Sequence, residues 1–149
     1  MLREEDIILP RNVTLEIIKG EDAGKIIPVK TKTITIGRGD GCDVKLADQY
    51  ASAKHCQVVF RYRTGHFTVI DLGSLNKVKV NGVIYVQRNL RHGDIIQVGG
   101  TEFKFTWSKA DYEEYRASLP EDFKEALEHL QEGDAPVADP NDGTVKAPD

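Results

Sequence analysis

The chain has two cysteines, one methionine and one tryptophan, and no apolar run longer than a few residues. A membrane-spanning helix needs roughly 20 consecutive apolar residues, so no membrane span is expected. The opening, Met1-Leu2-Arg3-Glu4-Glu5-Asp6, lacks the apolar stretch of a secretory signal, and a cytoplasmic location is the expectation. Cys42 and Cys56 show neither zinc-site spacing nor a disulfide framework. One lies beside Val44 and Leu46 and the other opens a β-like run, so both read as small buried hydrophobes. No metal or other cofactor is expected. There is no Lys/Arg-rich run, and the aromatics stand at alternating core-like positions rather than among basic residues, which argues against nucleic acid. A G-x-x-x-x-G-K-[ST] phosphate loop and a nucleophile elbow are both missing.

With 149 residues, 40% hydrophobic and 30% charged, the chain suits one globular domain with an appendage. The net charge of −4 conceals an asymmetry: residues 1–107 hold 16 Lys and Arg against 12 Asp and Glu, and residues 108–149 hold 4 against 12. The front part is mildly basic, which favours anionic partners; the rear is acidic.

A polar N-terminal arm, residues 1–11, is expected to be flexible. From residue 12 to 107 the pattern is that of strands. Val13, Leu15 and Ile17 alternate with polar residues, Pro28 marks the run 25–29 as an edge or an irregular strand, and Thr33-Ile34-Thr35-Ile36 stops at the glycine-rich loop 37–41. A longer strand is expected from Lys54 to about Arg63, with Cys56, Val58, Phe60 and Tyr62 on its buried face and His55, Gln57, Val59 and Arg61 on the other. Asn81-Gly82 signals a hairpin, with a return strand over 84–86, and Phe103, Phe105 and Trp107 share one side of the last strand. Roughly ten short strands with loops every 8 to 12 residues argue for an all-β sandwich. At Ser108 the pattern turns helical. Ser108 with Asp111, and Ser118 with Glu121, are capping pairs, and Phe123, Ala126, Leu127 and Leu130 recur at helical spacing, giving a helical extension over 108–133. Residues 134–149, rich in Pro, Asp and Gly, are expected to form a disordered acidic tail.

Three fixed points carry the candidate chemistry: Gly37-Arg38, Ser52-Ala53-Lys54-His55 and Ser74-Leu75-Asn76, all where strands give way to loops. Arg38 follows a strand and a glycine, so its guanidinium can project from the sheet end and offer two parallel hydrogen bonds to a phosphate, or serve as a surface ion-pair partner. Ser52 can donate to the same phosphate or cap its turn. Asn76 has both donor and acceptor for a peptide backbone, or can stabilise its own loop. A hydrolase would need Ser52 as nucleophile and His55 as base. Three residues across a loop-to-strand junction do not bring hydroxyl and imidazole together, and His55 reads as a structural hydrogen-bonder.

The order Ile36-Gly37-Arg38, Cys42-Asp43-Val44-Lys45-Leu46, Ser52-x-x-His55, Asp71-Leu72-Gly73-Ser74-Leu75-Asn76, Val80-Asn81-Gly82, Leu90-x-x-Gly93-Asp94-x-Ile96 and Val98-Gly99 resembles the forkhead-associated (FHA) domain family across about residues 12–107. The resemblance implies a two-sheet, 11-stranded β-sandwich that binds phosphothreonine peptides through loops at one end and is not an enzyme. It implies that Arg38 and Ser52 hold the phosphate and that Asn76 bonds the peptide main chain. Gly39, Ala53, Lys54, Leu75 and Lys77 would then lie along the peptide, with Gly37, His55, Asn81 and Gly82 as structural support. The implied partner is a phosphothreonine-containing protein or peptide in kinase-linked signalling or assembly, or another domain of the same protein; the charge asymmetry separately makes the chain's own acidic tail, folded over the site, a candidate.

The chain departs from the family pattern in this region. Members often read Ser-Thr-Asn-Gly-Thr where this sequence reads Ser74-Leu75-Asn76-Lys77-Val78, so a threonine hydroxyl that can assist phosphate binding is replaced by Leu75. Ala53 stands where many members carry a polar residue; Lys54 or Lys77 can restore positive charge. These departures carry the alternative expectation, a degenerate module that docks partners without phosphate.

Overall fold

Period-two alternation of apolar residues builds the framework, because successive side chains of a strand point to opposite faces. The structure, a computed structural model, describes residues 8–120. Its strands are β1 (Thr14–Lys19), β2 (Ile26–Pro28), β3 (Thr33–Gly37), β4 (Val44–Lys45), β5 (Cys56–Arg61), β6 (His66–Asp71), β7 (Val78–Val80), β8 (Val83–Tyr85), β9 (Gln87–Asn89), β10 (Ile95–Val98) and β11 (Thr101–Thr106), followed by helix α1 (Lys109–Ser118). They form two sheets, in the orders β2-β1-β11-β10-β7-β8 and β4-β3-β5-β6-β9. This is the expected two-sheet sandwich, and Pro28 lies on an edge strand, where its missing donor costs no ladder bond.

The inward residues close the core between the sheets: Leu15 and Ile17 of β1, Ile34 and Ile36 of β3, Val58 and Phe60 of β5, Phe67 and Val69 of β6, Ile96 and Val98 of β10, and Phe103 and Phe105 of β11 are all buried. Phe67 anchors an aromatic cluster, with ring centroids 4.8 Å from Phe60, 5.6 Å from Phe105 and 5.4 Å from Trp107. Helix α1 caps this end of the core. Ser108 is its N-cap, the hydroxyl accepting from the Asp111 amide at 3.1 Å. Tyr115 then packs edge-on against Phe60 and Trp107, both at 5.9 Å. Its hydroxyl donates to the Ile8 carbonyl at 2.9 Å, so the last residues of the N-terminal arm are tied to the helix. Burying Tyr115 and Leu119 contributes roughly 1.5–3 kcal/mol each. The Ser118 hydroxyl bonds back to Tyr115 O at 2.7 Å, and the helix ends at Leu119, which is extended ahead of Pro120. The expected second capping pair at Glu121, the apolar face 123–130 and the acidic tail lie outside the described residues.

Two strand boundaries differ from expectation, and two further features are not marked in the sequence pattern. The strand expected from Lys54 to Arg63 is β5, two residues shorter at each end, with residues 52–55 still tied to β3 as loop. The return strand after Asn81-Gly82 is Val83–Tyr85 rather than 84–86. β4 pairs with β3 in parallel. β9, all polar in sequence, is an edge strand on β6 that turns Arg88 inward, opposite Val69.

Candidate functional site

The site end is organised by the close approach of two chain segments. A methyl group placed on Gly37 would lie 2.4 Å from the Ala53 carbonyl oxygen and 2.8 Å from that of Ser52, so only glycine admits the 46–55 loop there. The loop then bonds along the end of β3: Arg38 N donates to Ser52 O at 2.9 Å, Gly39 N to Ala53 O at 2.9 Å, and His55 N to Ile36 O at 2.9 Å. The Arg38 side chain is fixed by one contact, Nε to Ala51 O at 3.1 Å. It enters no ion pair among the described residues, and the exposed guanidinium keeps its terminal N–H groups for another acceptor. Neighbouring Lys45 is committed to Asp40, whose pKa that hydrogen bond holds below the usual carboxylate value.

His55 joins this loop to the next. Expected on the solvent side of a strand, it is fully buried ahead of β5. The Ser52 amide donates to Nδ1 at 3.1 Å, so Nδ1 is an acceptor and the proton sits on Nε2, which donates to the Lys77 carbonyl at 2.9 Å. With both nitrogens bonded to main chain, the ring has no contact with the Ser52 hydroxyl from which to act as a base. That hydroxyl accepts from the Leu75 amide at 3.0 Å, and its own hydrogen remains to be donated.

The 72–77 loop is shaped by Asp71, whose carboxylate accepts from the Gly73 and Ser74 amides at 3.0 and 3.1 Å and from the buried Ser74 hydroxyl. Leu75, 86% exposed, stands clear of the surface beside Ser52, and Asn76 Nδ2 donates to Tyr50 O at 2.8 Å. Lys77 adopts φ 61°, a left-handed conformation. Ala53, Lys54, Leu75, Asn76 and Lys77 are all exposed on this end, with Gly39 half-buried among them. Asn81 and Gly82, expected as support for the site, are not brought to it. They form the turn at the far end of β7, with φ 52° and 85°, and the Asn81 amide ties that turn to Asp94 and Ile95.

Asp48 was not singled out in the sequence, yet it anchors the whole loop. Its carboxylate accepts from Tyr50 N at 2.9 Å, Gly100 N at 2.8 Å and the Thr101 hydroxyl at 2.7 Å. Burial would raise its pKa, but the bonds from Thr101, Tyr50 and Gly100 outweigh it and hold the group below its ordinary 3.8. Gly99 is required for this contact, since a Cβ there would meet the Ala51 nitrogen at 2.8 Å. No local pattern marks a carboxylate that bonds about 50 residues away; the Val98-Gly99 match was its only trace. Cys42 also corrects an expectation: it is half-buried, and its thiol donates to Ala53 O at 3.0 Å. Cys56 is buried as expected, and burial, with Asp71 and Cys42 nearby, pushes its thiol pKa up.

The comparisons with known proteins agree with this arrangement. The FHA domain model matches residues 34–99. Over 104 residues the chain is 34% identical to the oxoglutarate dehydrogenase inhibitor of Corynebacterium glutamicum, covering 69% of this chain and 71% of that one. The chain belongs to the FHA domain family. It is also similar to the oxoglutarate dehydrogenase inhibitor of Corynebacterium efficiens, 37% identical over 92 residues, which are 61% of this chain and 63% of that protein. The match thus spans somewhat under two thirds of one of these relatives and somewhat more of the other. Among solved structures, an FHA domain characterised for phosphothreonine-dependent interactions superposes with a TM-score of 0.58 at 25% identity, covering 64% of this chain and 96% of that one. In this FHA domain, then, the matched stretch contains Arg38, Ser52, His55 and Asn76, and the loops that bring them together all meet at one end of the sandwich.

Proposed function

We propose that this FHA domain is a non-catalytic module that binds phosphothreonine-containing protein segments in regulation. The observation that carries the reading is the pairing of Arg38 and Ser52, two side chains on bonded loops that each retain donor hydrogens at the exposed end. A phosphate brings a charge near −2 and three acceptor oxygens. Arg38 supplies the charged fork and Ser52 the hydroxyl; Lys54 and Lys77 add positive charge without fixed direction. Because the loops are already bonded to one another, little ordering cost falls on the protein. Asn76 spends one N–H on Tyr50 O and keeps its side-chain oxygen and second N–H for the peptide main chain.

That the Corynebacterium relatives inhibit a dehydrogenase, and that the structural neighbour's interactions depend on phosphothreonine, supports a regulatory phosphoprotein partner. The loss of donors at Leu75 and Ala53 favours phosphate-independent docking less than the retained Arg38 and Ser52 favour phosphate recognition. No helix among the described residues is long and apolar enough to cross a membrane, and action in the cytoplasm, beside kinases, belongs to the proposal. An affinity near micromolar, about −8 kcal/mol, suits so small a footprint.

Equilibrium binding of a degenerate phosphothreonine peptide library, with its unphosphorylated twin, tests the reading. Phosphate-dependent binding that falls at least tenfold in Arg38→Ala, equivalent to about 1.4 kcal/mol, is expected. Equal binding of both libraries would overturn it.

A further inference from the structure

Helix α1 divides the far end of the sandwich, away from the phosphate loops, into two unlike flanks. On one, Asp111, Glu114 and Ser118 line a recess with Ile8, Leu9 and Arg11 of the arm. On the other, Lys109 and Tyr112 line a recess of about 340 Å³ with the buried Leu90 and Trp107 and with His66, Arg91 and His92. Among the described residues no carboxylate lines this second recess. Lys109, Tyr112 and Arg116 follow at i, i+3 and i+7, so they share one stripe of the helix, and the Arg116 guanidinium lies 5.9 Å from the Tyr112 ring. The local field is positive: after burial, the charges of Arg116 and Arg91 hold the His66 pKa down at about 4. Two rings here are also incomplete, since His66 Nδ1 and Trp107 Nε1 are buried with no hydrogen-bond partner among the described residues. The flank thus combines apolar surface, positive charge and an unused indole donor.

The chain carries the complement within reach. α1 ends where Leu119 becomes extended, ψ 147°, ahead of Pro120, and turns of about two to five residues suffice to join antiparallel helices. Beyond Pro120, Phe123, Ala126, Leu127 and Leu130 recur at helical spacing. Glu121, Asp122, Glu125, Glu128 and Glu132 stand there against a single Lys or Arg, Lys124. At about 1.5 Å per residue, a helix over 121–133 is about 20 Å long and the ten residues of α1 about 15 Å. A segment doubling back along the Lys109–Tyr112–Arg116 stripe therefore passes the whole recess. On the other flank the same carboxylates would meet Asp111 and Glu114. We propose that residues 121–133 return antiparallel to α1 and cover the recess, seating Phe123, Leu127 and Leu130 against Leu90, Trp107 and Tyr112. The carboxylates fall mostly on the outer half of such a helix, so the attraction of Lys109 and Arg116 is a modest field effect and apolar burial is the main drive. The folded unit then extends to residue 133, and this end of the sandwich is closed to other partners while the phosphate loops stay open.

Trypsin cleavage after Lys124 in the full chain tests this, because a bond held in a packed helix is cut only when the helix opens. Leu127→Asp should be cut on the order of tenfold faster than wild type. Lys109→Glu should speed cleavage about two- to threefold, and since a carboxylate in the first turn favours α1 itself, melting of α1 does not account for that gain. Glu132→Gln, opposite the apolar stripe, should leave the rate unchanged. Overhauser contacts from the Leu127 or Leu130 methyls to the ring of Trp107, the chain's one tryptophan, locate the segment directly. Unaltered amide shifts at 37–41 and 51–54, at the other end, report that each variant is folded. Equal cleavage of wild type and Leu127→Asp, with no such contacts, would overturn the proposal. Contacts seen only between differently labelled chains and fading on dilution would also overturn it, assigning the recess to a second copy. None of these readouts depends on phosphate binding.

Discussion

Lys77 holds a left-handed backbone at φ 61° while its carbonyl oxygen accepts the Nε2 proton of His55 at 2.9 Å. The bond fixes the strained residue, and the strained residue presents the carbonyl. A non-glycine residue in this region costs on the order of 1 kcal/mol. Part of that returns if glycine, which the family often carries here, replaces it, although glycine also loosens the unfolded chain. Lys77→Gly is therefore expected to raise stability by about 0.5 kcal/mol, and Lys77→Val, β-branched at positive φ, to lower it by about 1–2 kcal/mol. Denaturant midpoints of the two variants measure the difference.

His55→Leu fills the same space but leaves the Ser52 amide and the Lys77 carbonyl without their partner. Each buried, unsatisfied main-chain group costs about 1–3 kcal/mol. A loss of about 3 kcal/mol in urea unfolding is expected, together with faster amide exchange at Ser52. Unchanged exchange there would show that the imidazole does not hold the loop.

Gly37→Ala drives a methyl into the Ala53 carbonyl, whereas a Cβ on Gly41, a few residues away in the same loop, meets nothing within 4 Å. The first substitution should cost about 2 kcal/mol or more and displace the Ser52 loop; the second should be neutral within about 0.5 kcal/mol. Thermal unfolding of the pair separates a steric requirement from general glycine flexibility.

Acid should destabilise the fold in two steps. His66 lies at the opposite end, where burial first, then Arg116 and Arg91, lower its pKa to about 4 from 6.5. Between those values the unfolded chain binds the extra proton, so stability falls as pH drops from about 6.5 to 4. Asp48, depressed below 3.8, contributes stability that is present above that value and lost as pH falls through its folded pKa. Unfolding measured from pH 7 to 3 should show the upper step absent in His66→Phe. Asp48→Asn should be less stable than wild type by roughly 1 kcal/mol near neutrality, the gap closing below pH 3.8.

What was legible in the sequence follows from what is local. The inward residues of β1, β3, β5 and β11 alternate and are found buried, and Asn81-Gly82 forms its turn because both residues take positive φ. Arg38 was legible because a strand and a glycine precede it. What was not legible depends on distant partners. Gln87–Asn89 has no apolar alternation, so β9 forms only because β6 supplies the ladder and the core accommodates Arg88 against the Tyr85 ring, 5.4 Å away. Strand period places His55 on the exposed face, whereas the bonds to Ser52 and Lys77 draw it inside. Asp48 reaches Gly100 and Thr101, and Cys42 reaches Ala53, contacts that exist only once the loops meet.

Arg38 and Ser52 are proposed to form a phosphate grip at this end of the sandwich. Its most direct test is an amide-shift titration of wild type and Arg38→Ala with a degenerate phosphothreonine peptide library, beside its unphosphorylated twin. Saturable shifts at 37–41, 51–54 and 74–77, seen only with phosphate and lost in Arg38→Ala, are the predicted result. Phosphate-dependent shifts elsewhere, or none at low salt, would contradict it.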